Sequence, residues 1–276
     1  MEQALNHFDI ELIRLRTLSS STYDFRFQRL DGSCLEFEPG QFFRFEFTDD
    51  EGEFERSYSL CNFEDDVEPR HLDLVISTVE NGRSSRLLFG SKVGLRGRAS
   101  GPFGRLVLPK VMPQRLFLVA TSVGIAPFMP MLAGLESMLL AGEVEVHFLY
   151  GTRDLSEFIY GDQLVEFADR HSGFHLHVCF SRCDPMTAGQ IRGYVQDALF
   201  RLTPSPATDH FLLCGNPKMI DDIYPKLKQL GFGVKQVIRE KYVFAKAVSK
   251  VSNSEKTPMS EEQKRILVEK MKKYSS

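Results

Sequence analysis

RLFLVATSVGIAP, residues 115–127, is the stretch that decides the fold. Its first seven residues are almost continuously apolar. A turn signal at Gly124 follows, and then Pro127, which suits the first turn of a helix. Strand, turn and helix in this order are the unit from which parallel sheets are built. We therefore predict a strand over residues 115–121 and a helical run from about Ala126 to Ala141.

The same alternation continues to about residue 244. Near-continuous apolar strands that alternate with helices predict an α/β domain with a parallel sheet covered on both faces. In such sheets ligands bind beyond the carboxyl ends of the strands. The further predicted pairs are VEVHFLYG before a helix over Gly161–Arg170, FHLHVCFS before Ile191–Leu202 and HFLLCG before Pro217–Leu230, with VKQVIREKYVF as a fifth strand.

The N-terminal part has a different pattern, with short alternating runs such as FDIELIRLR, YDFRFQRL and QFFRFEF between turn signals. Short, evenly spaced strands predict a small antiparallel β-barrel. We expect the barrel over residues 1–110, the α/β domain over 111–245 and a polar C-terminal extension over 246–276. In the extension, a capping box at Ser260 and Gln263 and apolar residues at helical spacing indicate a partly helical segment.

Composition describes an ordinary globular chain of two-domain length. The 276 residues are 42% hydrophobic and 26% charged, and a chain of this size can fold without metal or disulfides. The net charge of −3 gives no reason to expect a nucleic-acid partner. Without a secretory signal or an apolar run of about eighteen residues, we expect a cytoplasmic protein that is not inserted into a membrane. We also expect a monomer.

The spacing of cysteines and histidines predicts no metal site. The five cysteines are scattered and only Cys179 and Cys183 are close, whereas an iron–sulfur cluster needs four thiolates. His175 and His177 share a predicted strand face, but the sequence shows no carboxylate or third histidine nearby. Polar positions on a half-exposed strand account for this pair.

Two segments of the N-terminal part carry residue types suited to a flat, phosphorylated ligand. In Arg56-Ser57-Tyr58-Ser59 the guanidinium can donate two hydrogen bonds to a diphosphate, the phenol offers a flat face and the serine a hydroxyl. In Asn81-Gly82-Arg83-Ser84-Ser85, Gly82 permits a turn, and a helix start would aim backbone N–H groups at an anion. From the residues alone, an edge strand and a capped helix are the plainer explanations.

Two further segments stand where predicted strands of the α/β domain end. Ala120 to Pro127 has the strand–turn–helix context of a dinucleotide site, although its single glycine is short of the full G-x-G-x-x-G pattern. Cys214-Gly215-Asn216-Pro217 repeats that context, and a lone cysteine there is, by itself, more often buried packing than chemistry. No G-x-S-x-G or H-E-x-x-H motif indicates a hydrolase.

Eight short motifs follow one another along the chain: Pro39-Gly40-Gln41, Arg56-Ser57-Tyr58-Ser59, Gly82-Arg83-Ser84-Ser85, Gly101-Pro102-Phe103-Gly104, Gly124-Ile125-Ala126-Pro127, Tyr150-Gly151-Thr152-Arg153, Cys214-Gly215-Asn216-Pro217 and Glu240-Lys241-Tyr242. Taken in this order, they resemble the ferredoxin–NADP reductase family of flavoproteins from about residue 8 to 244. The resemblance implies an FAD-binding antiparallel β-barrel followed by a nicotinamide-dinucleotide-binding α/β domain.

The resemblance also implies how matching residues bind the cofactors FAD and NAD(P)H. Arg56 would bind the FAD diphosphate, and Tyr58 would stack on the flavin. Gly82, Ser84 and Ser85 would hold the diphosphate from the other side. On the α/β domain, Thr121, Gly124 and Pro127 would face the nicotinamide dinucleotide, and Ser181 and Arg182 fit a 2′-phosphate.

A catalytic set of four residues is implied in the same way: Ser59, Cys214, Glu240 and Tyr242. Ser59 would form a hydrogen bond near flavin N5, and Cys214 would lie beside the hydride path. Glu240 would be the acidic residue near the flavin, and Tyr242 would cover the flavin's second face and act as a gate. The sequence departs from the family at the nucleotide turn, where Ser122 and Val123 replace a glycine and a threonine. It departs again at Gln190, where related bacterial sequences often carry arginine, so the NADH or NADPH preference stays open.

The implied activity is hydride transfer from NAD(P)H to FAD, with electrons passed to ferredoxin or flavodoxin. Two alternatives remain. One is the reductase component of an oxygenase system or a free-flavin reductase. The other, motivated by the altered turn at Ser122-Val123, is a flavin-holding regulatory subunit without turnover.

Overall fold

The computed structural model describes residues 7–63, 70–185 and 189–242. It contains two six-stranded sheets, one antiparallel and one parallel, which confirms the predicted fold class. The predicted helix within residues 246–276 lies outside the described residues and stays a prediction.

Phenylalanine fills the core of the antiparallel sheet. Alternation along the strands turns Phe25, Phe27, Phe43, Phe45 and Phe47 inward, and all five are at most 2% exposed. The strand order is β4-β3-β6-β1-β2-β5. The elements are β1 (His7–Thr17), β2 (Thr22–Arg29), β3 (Phe42–Asp49), β4 (Gly52–Ser59), β5 (His71–Ser77), the helix α1 (Arg83–Phe89) and β6 (Arg96–Phe103).

The second sheet is parallel throughout, with the order β10-β9-β8-β7-β11-β12. Its strands are β7 (Arg115–Thr121), β8 (Glu145–Thr152), β9 (Phe174–Phe180), β10 (Gln190–Arg192), β11 (Asp209–Gly215) and β12 (Val237–Lys241). The α-helices are α2 (Met131–Leu140), α3 (Gly161–Arg170), α4 (Val195–Arg201) and α5 (Pro217–Gln229), with short 3-10 helices at Ser122–Phe128, Leu155–Glu157 and Val234–Gln236.

Three predicted elements are wrong in detail. The run expected from Ala126 is a 3-10 helix over Ser122–Phe128, and α2 begins only after Pro130, a residue that cannot donate a backbone hydrogen bond. The helix expected at Ile191 is first a short edge strand, because Gly193, with φ of +124°, breaks the chain before α4. The fifth predicted strand is shorter, since a 3-10 helix occupies Val234–Gln236.

The two sheets share part of their cores. Cys61, Val75 and Leu106 of the antiparallel part pack in one apolar cluster with Leu118 and Phe128 of the parallel part. The five cysteines all lie within the described residues and form no disulfide with one another. In the ranges that the structure describes, no single helix is long and apolar enough to cross a membrane, although the bent pair Ser122–Phe128 and Met131–Leu140 passes that test by length and composition.

Candidate active site

The four residues predicted to be catalytic converge where the two sheets meet. Tyr242 donates its hydroxyl hydrogen to Ser59 Oγ at 2.7 Å, and Ser59 Oγ donates to Glu240 Oε1 at 3.0 Å. Cys214 is the strand partner of Glu240 in the parallel pair β11–β12. Ser59 is 181 positions before Glu240 and 183 positions before Tyr242 in the sequence. The three side chains therefore form one hydrogen-bonded chain across the junction of the two sheets.

Burial controls protonation in this cluster. It raises the pKa of the Glu240 carboxyl, and the hydrogen bond from Ser59 partly opposes that shift because it favours the ionised form. It also raises the pKa of the Cys214 thiol well above its ordinary value, with the negative charge of Glu240 as the second cause. Cys214 therefore stays a neutral thiol at physiological pH and is not a nucleophile.

On the antiparallel side, β4 presents Arg56 and Tyr58 on one face. The Tyr58 hydroxyl forms a short hydrogen bond with Ser84 Oγ, and its ring packs edge-on against Phe45 at 5.7 Å between centroids. Arg56 is partly exposed, donates to the backbone carbonyl of Glu55 at 2.6 Å, and has no carboxylate partner in the part of the chain that the structure describes. The Arg56 guanidinium can therefore bind an anionic ligand.

The turn before α1 is built differently from the sequence prediction. Asn81, not Gly82, takes the left-handed conformation, with φ of +58°. Gly82 has an ordinary φ of −71°, but a Cβ there would lie 3.0 Å from the Val79 Cβ. Ser85 Oγ accepts the Val79 N–H at 2.8 Å, so its hydroxyl oxygen already holds the turn in place.

A cleft of about 680 Å³ lies at the carboxyl ends of the parallel strands. Ser21 and Ser77 to Val79 form its wall on the side of the antiparallel sheet. Thr121, Ser122 and Val123 follow β7 on the opposite wall, and Tyr242 also lines the cleft.

Close backbone approach shapes the wall formed by β7 and β11. A Cβ on Gly124 would lie 2.5 Å from the Cys214 carbonyl oxygen, and one on Gly215 would lie 2.5 Å from Thr121 Oγ1. Gly124 and Pro127 are buried beneath the wall rather than exposed on it. Thr121 Oγ1 accepts the Asn216 N–H at 2.9 Å and so joins the two strand ends.

The far end of the cleft contains residues to which the sequence analysis assigned no role. Arg153, Tyr194 and Lys218 line it together with the predicted Ser181, and Tyr194 is 60% exposed. Arg182 is exposed, and its N–H donates to the Arg153 carbonyl at 2.8 Å. The sequence analysis assigned no role to Tyr194 because this residue lies within the helix predicted from Ile191. The glycine at position 193 was the signal that could have revealed this loop.

The expected isolation of His175 and His177 is wrong. Parallel pairing of β8 with β9 places His147 opposite His175, and Glu145 Oε1 lies 3.0 Å from His175 Nε2. His147 Nδ1 lies 3.2 Å from His177 Nε2, and burial lowers the pKa of His147 to about 4. No group of three or more His, Cys, Asp or Glu side chains in residues 7–63, 70–185 and 189–242 could hold a metal ion.

The arrangement fits a flavin and a nicotinamide dinucleotide. The cleft volume falls within the roughly 300–1,000 Å³ typical of small-molecule sites. It is lined by Arg153 and Lys218, cations suited to phosphates, and by Tyr194, a flat ring suited to a base. Beside it, Tyr58 and Arg56 offer a further flat ring and a further cation, on the strand whose Ser59 is hydrogen-bonded to Tyr242 of the cleft.

Comparison with known proteins gives two family-model matches. The oxidoreductase FAD-binding domain matches residues 9–108, and the oxidoreductase NAD-binding domain matches residues 118–224. Ferredoxin–NADP reductase B of Sorangium cellulosum is 30% identical over 242 residues, which cover 85% of this chain and 97% of that protein. The reductase component of propane 2-monooxygenase from Rhodococcus jostii is 25% identical, and the match covers 83% of this chain and 62% of that protein.

Solved structures share the fold. A ferredoxin NADP+ reductase from Neisseria gonorrhoeae, with bound FAD and NADP, superposes with a TM-score of 0.72 at 19% identity, covering 87% of this chain and 99% of that one. Several other curated relatives are longer, and this chain spans only 57% to 63% of their length.

Proposed function

The chain belongs to the ferredoxin–NADP reductase family, and from that premise we propose that its electrons pass from NAD(P)H through FAD to a small ferredoxin- or flavodoxin-type carrier. It is an NAD(P)H–flavin oxidoreductase with FAD and NAD(P)H as cofactors. The observation that supports the full pathway best is the hydrogen-bonded chain Tyr242–Ser59–Glu240, which joins the two sheets beside the nucleotide cleft.

FAD supplies the chemistry, since a bound flavin accepts hydride and releases electrons singly. We assign FAD to residues 1–110, where Arg56 would bind its diphosphate and Tyr58 would lie against the flavin. Tyr58 is pre-positioned for that role because Ser84 holds its hydroxyl and Phe45 supports its ring. Gly82 and Ser85 would shape the turn that faces the diphosphate.

We assign the nicotinamide dinucleotide to residues 111–245. Thr121 would contact it directly, while Gly124 and Pro127 would support the wall from below. Ser181, Arg153 and Tyr194 line the cleft and would meet the adenosine end, and the exposed Arg182 next to Ser181 would join them. We expect productive binding to displace the Tyr242 ring, because this ring occupies the wall of the cleft next to Ser59.

The catalytic cluster would act by position and by proton placement. Ser59 donates to Glu240 and accepts from Tyr242, so its hydroxyl orientation is fixed. Cys214 is fully buried and neutral, which suits a small, uncharged wall next to a hydride path. These residues would exclude water and set the distance between donor and acceptor.

The carrier, the cellular location and the oligomeric state belong to the same proposal. The name of the Sorangium relative supports a ferredoxin-type carrier. A cytoplasmic monomer fits a soluble electron carrier as partner.

A second candidate is the reductase component of an oxygenase system that passes electrons directly to the oxygenase, supported by the propane 2-monooxygenase reductase component from Rhodococcus. Comparing cytochrome c reduction with and without added ferredoxin separates the two. Ferredoxin-dependent reduction supports the first candidate. Reduction that ignores ferredoxin but responds to an oxygenase component supports the second.

The central test is anaerobic stopped-flow reduction of the bound flavin by NADH and by NADPH. Bleaching by either nucleotide is expected, and its absence would leave a flavin-holding protein without turnover. Cys214→Ala and Glu240→Ala should retain the flavin spectrum while reduction slows. Equal loss of FAD in both variants would make these residues structural.

A further inference from the structure

A single carboxylate receives three serine hydroxyls across the junction of the two sheets. Ser19, Ser20 and Ser21 form the turn between β1 and β2, and Glu157 ends the 3-10 helix after β8. Ser19 Oγ and Ser21 Oγ each donate to Glu157 Oε2 at 2.9 Å, and Ser20 Oγ donates to Oε1 at 3.0 Å. Both carboxylate oxygens are therefore held by the opposite sheet.

The turn is shaped to present these hydroxyls together. Ser19 is 8% exposed, and its Oγ also accepts the Ser21 N–H at 3.2 Å. The N–H groups of Leu18 and Ser19 both donate to the Thr22 carbonyl, at 2.9 and 3.1 Å, which closes the turn. Glu157 is half-buried and pairs with no cation within the described ranges, so the three serine hydroxyls are the side-chain donors that hold its carboxylate there.

The same contact reaches both walls of the nucleotide cleft. Ser21 lines the cleft on one side, and its carbonyl accepts the Thr78 N–H at 2.7 Å. Thr152 lines the opposite side, and its Oγ1 donates to the Glu157 carbonyl at 3.0 Å. Glu157 does not itself line the cleft, but it is bonded through side chain and backbone to a residue of each wall.

We propose that Glu157 is a positioning residue, a latch with Ser19, Ser20 and Ser21 that sets the width of the nicotinamide nucleotide cleft. The inference rests on the proposed function, since it takes NAD(P)H as the occupant of the cleft. The shared apolar core around Cys61, Val75 and Leu106 keeps the two sheets together without the latch. Losing Glu157 should therefore loosen the spacing at the cleft while the fold persists.

The test is a double-mutant cycle between Glu157→Ala and the pair Ser19→Ala/Ser20→Ala, made in the full chain with FAD bound. Ser21 is left unchanged because it lines the cleft and could touch the nucleotide directly. KM and kcat are measured for NADH and NADPH with ferricyanide as acceptor. The Kd of NAD+ and NADP+ is measured by calorimetry, and the urea unfolding midpoint and FAD content are recorded in parallel.

The better of the two nucleotides should show KM and Kd raised about tenfold in Glu157→Ala, the scale of losing hydrogen bonds to a charged group, with kcat and FAD content nearly unchanged. Glu157→Gln keeps the size and one carbonyl acceptor, so it should restore part of the affinity. Combining Glu157→Ala with the serine pair should raise KM and Kd little beyond Glu157→Ala alone, because both variants break the same contact between Glu157 and the serines. Glu166→Ala, an exposed carboxylate on α3, is the matched control and should leave both constants unchanged.

Wild-type KM and Kd in Glu157→Ala would overturn the latch, whatever happens to the unfolding midpoint. Additive effects in the cycle would overturn it as well, since they would place Glu157 and the serines in separate roles. A wild-type protein that oxidises neither nucleotide would instead overturn the proposed function, and the latch with it. The two failures are therefore distinguishable.

Discussion

The candidate site has two walls that use different chemistry: the β4 surface beside the cleft, which we call the side-chain wall, and the ends of β7 and β11 that line the cleft, which we call the backbone wall. On the side-chain wall, Arg56, Tyr58 and Ser59 lie within four consecutive residues of β4. On the parallel side, backbone dominates, because Gly124 and Gly215 let the ends of β7 and β11 approach more closely than a Cβ would allow. Substitutions on the side-chain wall should therefore weaken cofactor binding while the protein stays folded. Substitutions on the backbone wall should instead lower the free energy of unfolding.

Gly124→Ala tests the backbone wall and should have the largest effect. Its Cβ would meet the Cys214 carbonyl oxygen at 2.5 Å and the Gly215 Cα at 2.6 Å, and backbone atoms cannot rotate away. We expect a loss of about 2–3 kcal/mol in the free energy of unfolding, measured by urea denaturation. Gly134→Ala in α2 is the control, since its Cβ meets only Leu108 at 3.6 Å. It should be neutral or slightly stabilising, and equal losses in the two variants would remove the distinction between the walls.

Arg56→Ala tests the side-chain wall. The protein should fold normally, while FAD binds more weakly by about 1.5–3 kcal/mol because a charge-assisted hydrogen bond is lost. Fluorescence titration of the apoprotein with FAD measures the change. Arg96→Ala removes an exposed arginine of the same sheet and should leave FAD affinity unchanged. If denatured wild-type protein releases FMN or no flavin, the assignment of Arg56 is wrong.

The comparison also explains how far sequence patterns reach. Continuous apolar runs predicted β7, β8, β9 and β11, and the helix over Gly161–Arg170 has the predicted ends, because burial on both faces leaves a strong local signal. The predictions were wrong where single residues interrupt the local pattern. The helix α2 begins only after Pro130, and a short strand ends before Gly193 where a helix was predicted. Pattern alone does not pair Ser59 with Glu240, since their contact spans 181 positions and is set by tertiary packing. The resemblance placed Ser59 and Glu240 each near the flavin without predicting the contact between them, and it implied no role for Glu157.

Tyr242→Ser tests whether the ring at the junction of the walls acts as a gate. Removing the ring should tighten binding of the oxidised nicotinamide nucleotide by about tenfold, or ~1.4 kcal/mol, because the ring no longer has to be displaced. A broad charge-transfer band should appear on titration. Tyr242→Phe keeps the ring and loses only the hydroxyl, with its hydrogen bonds to Ser59 and Cys214, so nucleotide affinity should stay close to wild type. Unchanged affinity and an unchanged flavin spectrum in Tyr242→Ser would show that the ring is core packing.

Ser59→Ala should shift the pH dependence of flavin reduction. Ser59 donates to the Glu240 carboxylate and thereby lowers its pKa against the raising effect of burial. Without this donor the carboxyl pKa rises further, so Glu240 becomes protonated at higher pH. The acid limb of the reduction rate should move upward in Ser59→Ala and disappear in Glu240→Gln. Stopped-flow rates between about pH 5 and 8 cover the region in which a raised carboxyl pKa is seen. If the acid limb does not move in Ser59→Ala, protonation of Glu240 does not control the rate of flavin reduction.

Ser122→Gly should have the smallest effect and concerns a residue of the backbone wall with a left-handed backbone conformation. Ser122 has φ of +50°, a left-handed conformation that costs a non-glycine residue roughly 1 kcal/mol. Glycine removes this strain but gains entropy in the unfolded chain, so we expect a net stabilisation of about 0.5 kcal/mol. The substitution also removes a hydroxymethyl group from the cleft, so nucleotide Kd should fall or stay unchanged.

Ser172→Gly, at an exposed position without a positive φ, should lose stability and provides the control. If Ser122→Gly loses as much stability as Ser172→Gly, the serine is not strained. The wall would then tolerate a side chain at this point as readily as the opposite wall does.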